Sequence, residues 1–184
     1  MTHRTLELHR EFTSRAAMAV DVEIDLAPSG LLRLGYRVTG DLGLLHLPPA
    51  APPERTDELW KTTCFEAFIQ PGEGPGYYEF NLSPSTAWAT YGFTSPRQEM
   101  RPAFEIPAPR IEIMAERAGF QLGAEIELPV HAFSVGRPWR VGLTAVIEDT
   151  RGDKTYWALA HPPGAPDFHS PDGRVLELTA SEQR

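Results

Sequence analysis

Two glutamates, Glu66 and Glu79, are the residues whose positions most directly suggest chemistry. Each interrupts an apolar, aromatic run typical of a strand, Cys64–Ile69 and Tyr77–Leu82, and a Gly/Pro-rich turn joins the two runs. A carboxylate in such a run must either face solvent or be held by a partner, because burying an unpaired charge is costly. Such groups are suited to binding a ligand. If the two carboxyls lay about 5 to 9 Å apart across a cleft, they could also act as acid and base.

Two aromatic residues lie in segments too polar or too rich in proline to be ordinary core. Trp60 stands where an acidic loop leads into a strand, and Phe168 lies in a loop between Asp167 and His169. An exposed ring at a loop edge can stack on the apolar face of a sugar or another planar ligand, while nearby carboxylates bind hydroxyls. The alternative is that both rings fold back and fill the end of the protein.

The C-terminal loop also raises the question of a metal. It carries His161, Asp167, His169 and Asp172, but their spacing matches no recognised transition-metal site. Histidines in such loops more often bond the backbone. Cys64 is the single cysteine, so it cannot form an intramolecular disulfide or complete a thiolate metal site. We predict no cofactor, with a structural Ca²⁺ among the surface carboxylates as the alternative.

Composition and motifs narrow the function classes. The chain has 17 Lys and Arg against 25 Asp and Glu, a formal net charge of -8, which disfavours nucleic acid and anionic membrane surfaces as partners. No serine lies in a Gly-x-Ser-x-Gly elbow, which disfavours a hydrolase triad. The glycines between Gly72 and Gly76 lie in a hairpin turn, not at a strand-to-helix junction, so they do not predict a phosphate loop.

The chain termini and hydropathy predict a cytoplasmic protein. The N-terminal segment is charged and lacks the apolar core of a secretory signal. Nowhere do about 18 apolar residues follow one another, so no membrane-spanning helix is expected. The length is that of one domain, and we predict a single domain over residues 1–184.

Short alternating runs predict an all-β fold. In Ala19–Leu26, apolar residues alternate with acidic ones at every position, and Leu31–Thr39 alternates again after a Pro-Ser-Gly turn. Leu6–Phe12 has a similar pattern, whereas the proline-rich Thr94–Pro109 is expected to be a loop. With turn signals between about ten such runs, the sequence predicts an antiparallel β-sandwich of the jelly-roll or immunoglobulin-like kind.

Four segments in the same order resemble the family 9 carbohydrate-binding modules (CBM9) and the related DOMON domains. They are LWKTTCFEAFI, the Tyr78–Asn81 strand, GAEIELPVHAF, and WALAHPPGAPDFHSPDGRVLEL. The similarity runs from about Leu59 to the C-terminus. It implies a β-sandwich that binds sugars or, in some DOMON relatives, haem.

The resemblance also implies roles for individual residues. Sugar-binding members clamp a terminal sugar between two tryptophans, whose positions correspond to Trp60 and Phe168, and a strand glutamate that accepts sugar hydroxyl bonds corresponds to Glu66. This chain departs from the pattern because the second ring is phenylalanine and because Glu79 stands where members use an arginine. An amide-bearing residue is also lacking on the strand that holds Ala145. The departures are expected to weaken or redirect sugar recognition.

The leading prediction is therefore a non-catalytic module that binds a saccharide or similar small polar ligand. Its expected site comprises two stacking rings, carboxyl groups and rim residues: Trp60, Glu66, Glu79, Asp167, Phe168 and His169. A haem-binding, DOMON-type electron carrier is the second hypothesis, with Met100 or Met114 and His161 or His131 as the axial pair. A carboxylate-dependent enzyme using Glu66 and Glu79 is the third.

Overall fold

The computed structural model describes residues 1–129 and 138–179, and this part of the chain forms thirteen strands. The strands are β1 (Thr2–Thr5), β2 (Glu7–Leu8), β3 (Ala17–Leu26), β4 (Leu31–Gly40), β5 (Cys64–Gln70), β6 (Tyr77–Leu82), β7 (Trp88–Phe93), β8 (Arg101–Pro102), β9 (Arg110–Glu116), β10 (Gly119–Glu127), β11 (Trp139–Glu148), β12 (Lys154–Ala158) and β13 (Leu176–Leu178). Two short 3₁₀ helices, Leu59–Lys61 and Pro171–Gly173, lie in the loops.

The strands form two sheets that pack face to face. The smaller sheet has the order β1-β3-β4-β10-β9, and the larger has the order β2-β12-β11-β5-β6-β7-β8, with β13 paired to β11. Neighbouring strands within each sheet are antiparallel. The predicted antiparallel β-sandwich is confirmed.

Alternation along each strand determines which side chains fill the space between the sheets. In β3, Val20, Val22, Ile24 and Leu26 are buried, while the acidic residues between them face away from the core. Across the core, the Tyr36 hydroxyl donates a 2.7 Å hydrogen bond to the backbone carbonyl oxygen of residue 66, which ties the smaller sheet to β5. Burial of this apolar surface is the main force that holds the two sheets together.

The larger sheet is also covered on its outer face, the face that points away from the smaller sheet. Every residue of β5 is buried, so both of its faces are shielded from solvent. A separate apolar cluster covers the outer face, with partly buried residues from two loops packed on it: Phe68, Tyr77, Ala89, Tyr91 and Phe93 from the strands, and Leu59, Trp60 and Phe168 from the loops. This outer face holds the candidate site.

The structure corrects two details of the sequence prediction. Leu6–Phe12 is not one strand: within it only β2 (Glu7–Leu8) pairs, with β12 of the larger sheet, and the chain then turns, with the backbone N–H of Phe12 donating to His9. Just before β2, Leu6 is buried in the main core, where the chain crosses from β1 of the smaller sheet to β2 of the larger. The proline-rich Thr94–Pro109 is not entirely loop, since it contains the short edge strand β8.

No helix within residues 1–129 and 138–179 has the length and apolar character needed to cross a lipid bilayer.

Candidate functional site

A cavity of about 420 Å³ lies on the outer face of the larger sheet. Its floor comes from strand residues and its walls from three loops, and it is lined by Trp60, Glu66, Phe68, Glu79, Phe93, Arg97, Met100, Val146, Tyr156, Pro166, Phe168 and His169. Cavities of this size, mostly apolar with a few polar groups, are typical of small-molecule sites in proteins.

Another cavity, of about 350 Å³, lies on the outer face of the smaller sheet. Its described lining contains no aromatic ring, and its charged side chains pair with one another, as in the Arg33–Glu125 contact of 3.1 Å and the Arg110–Glu112 contact of 2.6 Å. Exposed ion pairs of this kind are ordinary surface features. The cavity on the larger sheet is therefore the better candidate.

Five of the six residues predicted from the sequence line the cavity, and the sixth lies beside it. Trp60, Glu66, Glu79, Phe168 and His169 all contribute to the lining. Asp167 accepts hydrogen bonds from the Arg97 guanidinium at 2.8 Å and from the backbone N–H of residue 169 at 3.2 Å. Asp167 thus joins the C-terminal loop to the loop that carries Arg97.

The two predicted clamp rings are half-buried rather than fully exposed. The ring centroid of Trp60 lies 6.1 Å from that of Tyr91 in an edge-to-face contact, and Phe168 lies 6.1 Å from Tyr156 and 6.5 Å from Phe68. Each ring is therefore fixed by aromatic neighbours on the sheet while part of it faces the cavity. The sequence left two alternatives open, a ring that faces a ligand and a ring packed onto the protein. In the structure each ring packs on the sheet with one part and faces the cavity with another.

The strand register brings the two glutamates to the same face. Glu66 is paired with Asn81 and Phe68 with Glu79, so the carboxyls occupy diagonal positions on the adjacent strands β5 and β6. The Thr144 hydroxyl donates to Glu66 Oε2 at 3.2 Å, and the Asn81 amide donates to Glu79 Oε1 at 2.7 Å. Each carboxyl therefore has one direct hydrogen-bond donor.

Burial makes both carboxyls unusually weak acids. The pKa of Glu66 is raised well above its ordinary value, first by burial and then by the negative charge of Glu79. Burial raises the pKa of Glu79 to about 7, although the hydrogen bond from Asn81 and the charge of Arg97 act in the opposite direction. Both carboxyls therefore keep their protons to a higher pH than an exposed glutamate does, and a protonated carboxyl can donate as well as accept a hydrogen bond.

The ring of His169 is hydrogen-bonded to Tyr77. Its Nδ1 lies 2.7 Å from the Tyr77 hydroxyl, which also accepts a 3.3 Å hydrogen bond from the backbone N–H of Arg97. Burial lowers the pKa of His169 to about 4, which favours the neutral imidazole, and the direction of the hydrogen bond with Tyr77 depends on which ring nitrogen carries the hydrogen. Nε2 is 3.8 Å from Glu79 Oε2, which is too long for a hydrogen bond, and with a neutral ring it is not an ion pair.

A buried arginine, Arg174, anchors the C-terminal loop. Its Nε donates to Gln70 Oε1 and its Nη1 to the backbone carbonyl oxygen of residue 169, both at 3.3 Å. The guanidinium lies over the Tyr77 ring at 4.4 Å. Sequence reasoning missed Arg174 and Arg97, and it named Met100 only as a candidate haem ligand. Arg97 and Met100 come from a loop with no regular pattern. Arg97 has a left-handed backbone with φ 59°.

The described residues proposed for haem lie in different elements of the fold. Met100 lines the cavity and is half-exposed, whereas Met114 lies on β9 of the smaller sheet. His161 Nε2 is 2.8 Å from the backbone carbonyl oxygen of residue 7, and His131 lies outside the described residues. Residues 1–129 and 138–179 contain no group of three or more His, Cys, Asp or Glu side chains arranged to hold a metal ion.

Structural comparison relates the whole sandwich to two solved proteins. A Bacteroides uniformis protein proposed to bind carbohydrate superposes with a TM-score of 0.62 and 15% identity, over 94% of this chain and 83% of that one. A CBM9 module from Caldicellulosiruptor kristjanssonii, solved with glucose, superposes with a TM-score of 0.57 and 9% identity, over 86% and 76% of the two chains.

The chain has a CBM9-like fold. The identities are low, so the likeness extends to the fold and not to individual contacts. No protein-family model matches the sequence, and no curated protein matches it in sequence. The CBM9-like fold agrees with the resemblance of the four sequence segments.

Proposed function

We propose that the protein is a non-catalytic carbohydrate-binding module that holds a sugar ring in the cavity between Trp60 and Phe168. One observation carries this proposal: two rings from distant parts of the chain line the same cavity as two buried carboxyls. The carbohydrate-binding description of one structural neighbour and the glucose bound to the other support it.

The cavity offers both kinds of contact that a sugar needs. The aromatic rings of Trp60 and Phe168 provide apolar surface for the C–H face of a pyranose. Glu66 and Glu79 provide hydrogen-bonding groups for hydroxyls, and their protonation allows the pair to donate and accept. Because the hydrogen-bond partners of a buried carboxyl decide which hydroxyl pattern fits, these two residues are expected to determine selectivity.

Arg97 is proposed to supply the hydrogen-bond donor that β6 lacks. Glu79 stands at the position where the resemblance implies an arginine, but the Arg97 guanidinium lines the same cavity from a loop. Its Nη2 is fixed by Asp167, and its side chain remains 60% exposed, so other N–H groups stay available to a ligand. Asp167 then acts at the rim by positioning Arg97. His169 acts at the rim by lining the cavity next to Glu79.

Replacing Trp60 with alanine is expected to weaken saccharide binding about 30-fold, because a central stacking residue typically contributes about 2 kcal/mol. Screening the wild-type protein on a glycan array, followed by isothermal titration with the glycans found and with glucose, measures the effect. Met114→Ala is the matched control, since Met114 is an exposed apolar residue on the other sheet. Equal affinities of the Trp60→Ala variant and the wild type would exclude the proposed clamp.

The haem-binding and enzymatic hypotheses have separate tests. The position of Met100 in the cavity leaves one candidate haem ligand at the site, and a Soret band in protein purified from haem-supplemented cells would support that hypothesis. The shared face of Glu66 and Glu79 is compatible with an acid and base pair, and hydrolysis of a bound glycan, lost in Glu66→Gln, would support an enzyme.

A further inference from the structure

Phe104 is a large apolar residue held in solvent by a fixed backbone. Its side chain is 80% exposed, yet Ala103 and Ile106 on either side are buried in the main core. The backbone N–H of Ala103 donates to Thr90 at 3.0 Å, and that of Ile106 donates to Ala103 at 3.1 Å. The loop is therefore anchored at both ends, and the ring projects from it. Exposing an aromatic ring costs hydrophobic free energy that a ligand could recover.

Arg55 lies next to this ring with part of its hydrogen-bonding capacity unused. Its guanidinium carbon is 5.7 Å from the Phe104 ring centroid and 5.1 Å from that of Tyr91. Nη1 donates to Asp57 Oδ1 at 2.8 Å, whereas Nη2 is buried and has no hydrogen-bond partner within the described part of the chain. Buried donors are normally satisfied, so an unpaired one indicates an unfilled position for an acceptor.

Side-chain contacts connect the Phe104 and Arg55 pair to the wall of the cavity. Trp60 lines the cavity, its ring contacts Tyr91 at 6.1 Å, and Tyr91 in turn contacts the Arg55 guanidinium. A series of direct contacts through Tyr91 and Arg55 therefore links Trp60 to Phe104. The segment that carries Phe104 also begins beside Met100, which lines the cavity.

We propose that Phe104 and Arg55 form a second saccharide subsite, which holds the sugar unit next to the one bound in the cavity. Phe104 stacks on the sugar ring, and Arg55 Nη2 donates to a hydroxyl oxygen after a small displacement of the exposed Phe104 side chain. This inference rests on the proposed carbohydrate-binding function. It makes the ligand an oligosaccharide or a polysaccharide end rather than a free monosaccharide.

Isothermal titration with glucose and with α-1,4-, β-1,3- and β-1,4-linked glucose oligosaccharides of two to four units tests the subsite. In the wild-type protein, affinity for one oligosaccharide series is expected to exceed that for glucose about 3- to 10-fold, the gain typical of one added aromatic contact. In Phe104→Ala this gain is lost while the glucose affinity is unchanged. In Phe104→Trp the gain is kept.

Met18→Ala is the control, since Met18 is 79% exposed on β3 of the smaller sheet. It is expected to leave both the glucose affinity and the gain with length unchanged. Affinity that does not rise with length, or an equal loss for glucose and oligosaccharides in Phe104→Ala, would overturn the subsite alone. A wild-type protein that binds neither these sugars nor any glycan on the array would overturn the carbohydrate-binding function as well.

Discussion

Glu79→Gln is expected to make the protein more stable than the wild type at pH 8, while the two differ little at pH 4. Burial raises the pKa of Glu79 to about 7 in the folded protein, against an ordinary value of 4.5. Because the pKa of Glu79 is raised on folding, this residue contributes its full stabilisation below pH 4.5, and the contribution is lost as the pH rises through 7. The loss is on the order of 3 kcal/mol, and glutamine does not undergo it because its amide carries no charge.

The measurement is the free energy of unfolding in urea across this pH range, compared between variant and wild type. The comparison is needed because His169 acts oppositely: its folded pKa of about 4 lies below its ordinary 6.5, so its contribution is lost as the pH falls. Removing the negative charge of Glu79 also removes its repulsion of the Glu66 carboxylate, which adds to the gain in stability at high pH. Glu127→Gln, an exposed glutamate on β10, is the control. A constant difference between Glu79→Gln and the wild type would contradict the prediction.

Truncation of Phe65 to alanine is expected to lower the free energy of unfolding by about 3 to 5 kcal/mol, the usual cost of removing a buried aromatic ring. Phe65 is fully buried between the sheets, with its ring centroid 4.9 Å from Tyr36 and 5.8 Å from Phe120 of the opposite sheet. Close packing leaves neighbouring side chains little freedom to refill the space. Guanidinium denaturation followed by tryptophan fluorescence measures the loss.

Phe104→Ala provides the matched control for Phe65→Ala, since the residue and the substitution are the same and only the environment differs. Phe104 is 80% exposed, so its truncation is expected to cost less than about 1 kcal/mol, which includes its cation-π contact with Arg55. Similar losses in the two variants would show that Phe104 is packed and would also weaken the argument for the second subsite. A stable Phe104→Ala variant makes its binding data directly interpretable.

Much of the fold was predictable because strand alternation is a local property. From Val20 to Leu26 apolar and acidic residues alternate at each position, and the structure buries the apolar ones. The same rule places Phe68 on the face of Glu66, and Tyr91 on that of Phe93. The shortness of β2 and the crossing between sheets at Leu6 were not predictable, because alternation in a short run does not indicate where pairing ends or which sheet a segment joins.

The candidate site was predictable only in part. Trp60 and Phe168 stood out as aromatic residues in polar loops, and the two glutamates as charges inside aromatic strands. Whether the glutamates share a face could not be derived, since a shift of one residue in the register of β5 and β6 would turn one of them to the other side of the sheet. Arg97 carried no recognisable signal in its loop.

By itself, the sequence determined the strands and the sandwich class, because both follow from residue types and from a period of two along the chain. Only the tertiary structure decided that Thr144 meets Glu66, that Tyr77 bonds to His169, and that Arg174 of the C-terminal segment donates to Gln70 of β5. These contacts join strands and loops that are distant in sequence. Their geometry depends on strand order, register and loop conformation, which are set by packing across the whole domain rather than by neighbouring residues.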